Sequence, residues 1–237
     1  MVRIIFLLIA FFFQTFPVIG QGSGIQLPNH GKSLSDLIPD DWEILSKAEG
    51  DLNSDSIPDL AFVIKDTDPA NLEINDGIGA DTVDTNPRIL AIYFGKQESA
   101  NYQKVQQSNT FIIHRKSPTM AEPFSGIRIN DDGSLEIGFA IWSNAGSWYR
   151  TVHRYNFIYQ NKSFVLSRYR RTEVHRGSGK LQSYCINFLE GEMEIEDGHI
   201  SSDEPESLER KKFNLDKLQT LETLNEPFEW KFQGISI

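Results

Sequence analysis

The run Gly50-Asp51-Leu52-Asn53-Ser54-Asp55-Ser56-Ile57-Pro58-Asp59-Leu60 sets Asp51, Asn53, Asp55 and Asp59 at the first, third, fifth and ninth positions of a loop. Side-chain oxygens at that spacing, with the backbone carbonyl of Ile57 at the seventh position, can converge on one hard cation as the chain wraps around it. Calcium is the ion such an all-oxygen set suits, and an ion holding a loop between two strands has a structural role. The same Asp and Asn side chains also cap turns by accepting hydrogen bonds from nearby amides, which is the alternative use of the motif. Phe62 occupies the twelfth position, where an EF-hand needs a bidentate acid, so that motif is excluded.

Two further groups carry recognition chemistry. Trp142, Trp148 and Tyr149 surround the small polar turn Ser143-Asn144-Ala145-Gly146-Ser147, and such rings either stack on a sugar or peptide or pack at the edge of a core. Residues 150–180 hold eight Arg and Lys against Glu173 alone, with Arg168, Arg170 and Arg171 at the centre. An acidic stretch from Glu190 to Glu209 follows. The two stretches either match each other across neighbouring strands, or the arginines form an anion-binding strip for an acidic glycan or a partner protein. The five histidines include no pair with zinc-ligand spacing. There is no Gly-x-Ser-x-Gly elbow and no phosphate-cradling glycine loop, so the balance leans against an enzyme and no catalytic residue is assigned.

The elements that must position these residues read as a series of antiparallel hairpins. Trp42 to Ala48 and Leu60 to Lys65 flank the acidic loop, and Arg88 to Phe94 pairs with Tyr102 to Gln107. Phe124 to Ile129 and Leu135 to Trp142 are joined by a turn containing Asp132-Gly133. Trp148 to Tyr159 and Phe164 to Val174 form the clearest hairpin, with Tyr149, Tyr155, Phe157 and Tyr159 on one alternating face. Leu181 to Leu189 and Met193 to Glu196 follow, and Trp230 with Phe232 marks a last strand. The expected fold is mostly β, antiparallel hairpins forming a curved or partly closed sheet, with at most one short helix near the C-terminus, over Leu215 to Leu224. Asp66 to Pro87 and His199 to Arg210 read as acidic loops.

The ends and the composition bound the class. Arg3 precedes an apolar run from Ile4 to Phe13 and the small-residue pattern ending at Gly20, which predicts a signal peptide over 1–20. A linker over 21–36 and a single β-rich domain over 37–237 follow from this reading. The apolar run is shorter than the roughly 20 residues a span needs, so no membrane span is expected after signal cleavage, and the protein is read as periplasmic or secreted. The formal charge is −10, and loss of residues 1–20 with Arg3 makes it −11, which disfavours nucleic acid as a partner. A single cysteine, Cys185, excludes a disulfide framework, so stability must come from a core.

The acidic loop resembles the calcium-loop motif of FG-GAP and VCBS-type repeats, with Asp51, Asn53, Asp55, Asp59 and Leu60 matching directly. The resemblance implies calcium held on a strand-loop-strand corner, with Ile57 giving its carbonyl oxygen. Ser56 stands where that motif has glycine, in a turn conformation that glycine adopts at about 1 kcal/mol lower cost. Only one copy is present, whereas a propeller needs about four or more blades. More broadly the chain resembles an uncharacterised family of secreted bacterial proteins with a Trp-containing lead-in, one Gly-Asp-Leu-Asn loop and a later Tyr-aromatic hairpin, here Trp42, Gly50 to Asn53, and Tyr155 to Phe164. The sequence thus leads us to expect an exported, non-catalytic β domain with a structural calcium loop and a binding or accessory role towards an unknown protein or glycan. The alternative is a secreted or periplasmic carbohydrate-active or carbohydrate-binding protein using the aromatic platform.

Overall fold

The computed structural model describes residues 24–97 and 101–237, so the expected signal peptide at 1–20 lies outside the described residues. In chain order the first half contains β1 (His30–Gly31), a single turn α1 (Leu34–Leu37), β2 (Trp42–Gly50), β3 (Asp59–Asp66), β4 (Leu72–Ile74), β5 (Thr82–Asp84), β6 (Arg88–Lys96) and β7 (Asn101–Ser108). The second half is a run of hairpins: β8 (Phe124–Ile129), β9 (Leu135–Ile141), β10 (Tyr149–Gln160), β11 (Ser163–His175), β12 (Lys180–Asn187), β13 (Glu192–His199) and β14 (Ser207–Lys212). The turn α2 (Leu221–Leu224) and a small hairpin, β15 (Lys231–Phe232) with β16 (Ile235–Ser236), end the chain.

The antiparallel β architecture expected from the sequence is present, distributed over two main sheets. One has five strands in the order β1-β7-β6-β3-β2, and the other is a seven-stranded meander, β14 to β8. Neither closes into a barrel, and they adjoin where the Ser46 hydroxyl on β2 accepts the Ile127 amide of β8 at 3.2 Å. Among the described residues no helix is long and apolar enough to cross a membrane.

Side-chain alternation explains why β3 from Leu60 to Ile64 and β6 from Ile89 to Phe94 are apolar at every position rather than every second one. Ala61, Val63, Leu90, Ile92 and Phe94 point towards the seven-stranded sheet and join Leu135, Ile137, Phe139, Tyr155, Phe157 and Tyr169 in the main core. Leu60, Phe62, Ile64, Ile89, Ala91 and Tyr93 point the other way and are covered by the segment that carries Leu27 and Leu37. Each large apolar side chain so buried stabilises the fold by about 1.5–3 kcal/mol, which compensates for the absence of cross-links. On β10 the aromatic face is continuous, with Tyr155 and Phe157 sealed in the core and Tyr159 edge-on to Phe94 at 4.8 Å. The two-residue turn between β10 and β11 holds Asn161 at φ 51° and Lys162 at φ 64°, the left-handed pair that fits the twist of a tight hairpin.

Three local expectations change. The leucine spacing from Leu215 to Leu224 forms a helical turn only at Leu221–Leu224, because Leu215 and Leu218 pack onto the main core from non-helical backbone. Ser207–Lys212 is a strand rather than loop, paired antiparallel to β13, with cross-strand ion pairs such as Arg210 with Glu194 at 2.6 Å on its exposed face. The stretch Asp66 to Pro87 folds into a 3-10 turn at Pro69–Asn71 and the β4–β5 hairpin.

Candidate functional site

The acidic loop closes the β2–β3 hairpin, in which Gly50 lies opposite Asp59. Asp59 is fully buried, its Oδ2 accepting the amide of Leu52 at 2.8 Å and its Oδ1 the amide of Gly95 on β6 at 3.0 Å. Gly95 permits this approach, since a β-carbon there would collide with the carbonyl of Pro58. Asp51 lies inside the loop, its Oδ1 accepting the amides of Asn53 and Asp55 at 3.2 Å each and its Oδ2 the amide of Ser56 at 2.7 Å. Asp55 accepts the Ile57 amide at 2.8 Å on Oδ1 and the Asn53 side-chain amide at 3.0 Å on Oδ2, while Asn53 Oδ1 accepts the Asp55 amide at 3.0 Å. Ser54 and Ser56 adopt φ of 62° and 65°, the left-handed turn conformation expected at Ser56.

The electrostatics of the loop are lopsided. Burial pushes the Asp59 carboxyl up to about 6, with the negative fields of Asp55 and Asp51 adding to the rise while the Leu52 and Gly95 amides oppose it. The Ser56 amide holds Asp51 below the usual carboxylate range. Among the described residues no Arg, Lys or His forms an ion pair with Asp51, Asp55 or Asp59. Among the described residues, too, no three or more His, Cys, Asp or Glu side chains gather in the arrangement that would hold a metal ion. The candidate donors are all oxygens, from three carboxylates, the Asn53 side chain and the Ile57 carbonyl, the type a hard cation takes. Capture of an ion would require Asn53 and Asp55 to exchange the bond between their side chains for the ion, and that bond lies on the exposed side of the loop.

The aromatic group is only partly brought together. Trp148 is 68 % exposed and Tyr149 50 % exposed, and both meet His175, Trp148 stacked at 6.2 Å and Tyr149 edge-on at 5.0 Å. Trp142 is half-buried under the Arg176 guanidinium, 5.2 Å from the ring centre. Beside Tyr149 and His175 the inner face of β10 to β13 runs past the core into a groove of about 560 Å³, bordered by Glu173, Lys180, Asp197 and Glu206. Trp142 does not border it.

The arginines are divided between the faces of the seven-stranded sheet. Arg168 and Arg170 face away from the core. Arg171 faces the core side, hydrogen-bonded to Glu173 and 5.9 Å from the ring centre of Tyr184. Arg128 and Arg154, which sequence reasoning did not single out as site residues, stand with Arg168 and Arg170 around a recess that also holds Glu136. The register of three hairpins creates that cluster, and no linear pattern displays it. His153, also passed over, is buried between the Tyr169 hydroxyl at 2.7 Å and the Thr151 hydroxyl at 2.9 Å. Burial, aided by the positive field of Arg171, pushes its ring down to about 3, so it is a neutral part of the core. No family model matches the chain, nor does any curated protein or any solved structure.

Proposed function

We propose that the protein is an exported, non-catalytic β domain whose Asp51 to Asp59 loop takes up calcium, bracing the β2–β3 corner so that the sheets present a binding surface to a protein or glycan. The observation that carries this reading is Asp59, a fully buried carboxylate with no cationic partner among the described residues and two further carboxylates acting on it. A buried anion without a counter-charge is unfavourable, and a divalent ion at the loop offsets the burial of Asp59 and the repulsion from Asp51 and Asp55 together. The Ile57 carbonyl and Asn53 Oδ1 supply the neutral oxygens of the set. Export is read from residues 1–20 and suits a loop whose dissociation constant, on the order of 10⁻⁴–10⁻³ M as in extracellular modules, matches calcium outside the cytoplasm.

Thermal unfolding of the chain with calcium and with a chelator tests the proposal. With about 10 mM calcium, mass action adds about 1.4–2.7 kcal/mol for a constant in that range. The rise in melting temperature disappears in Asp51→Ala/Asp55→Ala. An unmutated protein that melts identically with calcium and with chelator contradicts the reading.

A second reading, a carbohydrate-binding surface, is favoured by the exposure of Trp148 and Tyr149 beside the groove with its Glu173, Asp197 and Glu206 carboxylates. A flat aromatic face and polar hydrogen-bonding side chains are what a neutral sugar requires. Under this reading Trp148→Ala/Tyr149→Ala abolishes retention on a glycan array while leaving the melting temperature within a degree or two, both rings being on the surface.

A further inference from the structure

The outward face of the seven-stranded sheet concentrates positive charge in an otherwise acidic protein. Across β10 and β11, Arg154 stands directly opposite Arg170, and one residue pair along the same face Asn156 stands opposite Arg168. On the neighbouring pair β8–β9, Arg128 stands opposite Glu136. Like charges directly opposite on adjacent strands destabilise a sheet. One carboxylate answers part of this: Glu136 Oε1 accepts Arg128 Nη2 and Arg154 Nη1, each at 2.8 Å. Arg168 and Arg170 make no ion pair among the described residues, and the side-chain bond of Arg170 goes from Nη2 to the Cys185 sulfur at 3.8 Å. Asp132, which feels the field of Arg168, accepts both the amide and the hydroxyl of Ser134. Around a recess of about 350 Å³ there are therefore four guanidinium groups and two carboxylates, a surplus of two positive charges. Further along this face Arg210 pairs with Glu194 and Lys212 with Glu192.

We infer that the Arg128, Arg154, Arg168 and Arg170 recess is a binding site for a doubly charged tetrahedral oxyanion group, a sulfate or phosphate. Guanidinium forks donate in a fixed plane that matches such oxygens, and four forks from β8, β10 and β11 around one recess offer more donors than one planar carboxylate accepts. A dianion also neutralises the surplus that Glu136 and Asp132 leave. Asn156 at the edge of the recess supplies a neutral donor. The inference is independent of the calcium loop and of the aromatic groove.

The test is calorimetric titration of the full chain at pH 7 with sodium sulfate, with sodium chloride at equal ionic strength as the reference. A second arm uses a 6-phosphorylated monosaccharide, whose phosphomonoester carries close to two negative charges at pH 7. The expected result is one saturable sulfate site per chain, at least tenfold weaker in Arg168→Ala/Arg170→Ala and unchanged in Arg150→Ala, a substitution of an exposed arginine on the same strand system outside the recess. Sulfate alone saturating the site identifies the free ion as sufficient. A sugar phosphate binding tenfold more tightly than sulfate identifies a monoester as the ligand, and both outcomes support the site. Absence of saturable binding beyond chloride, or equal affinity in the double variant, overturns it. Alkylation of Cys185 by iodoacetamide in the unmutated protein gives a readout that needs no variant: an anion in the recess slows the reaction several-fold relative to chloride, and an unchanged rate overturns the proposal.

Discussion

Two aspartate-rich turns lie against each other at one end of the molecule, and they treat their carboxylates in opposite ways. The turn from Asn130 to Ser134 packs so closely on the acidic loop that a β-carbon at Gly133, whose φ is 74°, would lie 3.1 Å from the Asp51 carbonyl oxygen. In that turn the Ser134 hydroxyl and amide, with the field of Arg168, hold Asp132 below the usual carboxylate range. Across the contact, burial drives Asp59 up to about 6, with Asp51 and Asp55 adding to it. Residue type is the same in both; burial dominates at Asp59 and the hydrogen bonds from Ser134 dominate at Asp132. The Ser134 hydroxyl and amide answer the Asp132 carboxylate, whereas the buried Asp59 carboxylate has two backbone amides and no ion pair among the described residues.

The contrast is sharpest under truncation. Asp59→Ala leaves the Leu52 and Gly95 amides without their acceptor, and we expect a loss of about 2–4 kcal/mol in urea unfolding at pH 7, with partial relief from removing a buried charge already included. Asp132→Ala, at a turn open to water, is expected to lose about 1 kcal/mol or less. Equal losses would erase the distinction between the two turns.

Acidity separates them next. Because the Asp59 carboxyl titrates near 6 in the fold against 3.8 unfolded, the folded state holds more protons in that window. The stabilising contribution is full below about 4 and is lost as pH rises through about 6, a change of about 3 kcal/mol. His153 acts in the other direction: its ring falls from 6.5 to about 3, so its contribution is full above about 6.5 and is lost as pH falls towards 3. Between about pH 4 and 6 the two slopes oppose each other. His153→Gln should therefore unmask a decline in stability from pH 4 to 6, while Asp132→Ala should leave the profile unchanged across that range. A His153→Gln protein with stability flat over the window would contradict the assignment to Asp59.

Calcium gives a smaller effect, about 1.4–2.7 kcal/mol at 10 mM as above, and the comparison predicts that Asp132→Ala retains the response while Asp51→Ala/Asp55→Ala loses it. Smallest is the backbone effect at Ser56, held at φ 65° with its amide on Asp51. Ser56→Gly keeps that hydrogen bond and relieves the left-handed strain, so unfolding in urea should show a gain in stability of up to about 1 kcal/mol.

Hairpins were legible in the sequence because apolar alternation and turn residues are local signals, as at Asp132-Gly133 and Asn161-Lys162. Their grouping into two sheets was not, since nothing local tells β2 that it lies beside β8 or β7 that it borders β1. The strand Ser207–Lys212 has no apolar alternation, and its place is set by the antiparallel backbone ladder to β13, with exposed cross-strand ion pairs alongside. The acidic loop was visible from spacing alone, including the turn at Ser56. Its buried anchor was not, because the second amide on Asp59 comes from Gly95, 36 residues further along the chain. The arginine recess was half visible: Arg168 and Arg170 were noted, but alternation sends Arg171 to the other face, and Arg128 and Arg154 arrive only through register.

The most direct test of the calcium reading is calorimetric titration of calcium into the chelator-treated chain, repeated in two buffers of different ionisation enthalpy at pH 6 and again at pH 8. If the ion neutralises Asp59, one calcium binds per chain and displaces about half a proton at pH 6 and almost none at pH 8, as expected for a carboxyl titrating near 6. Titrations without saturable heat, or with binding that releases no proton at pH 6, would contradict the account.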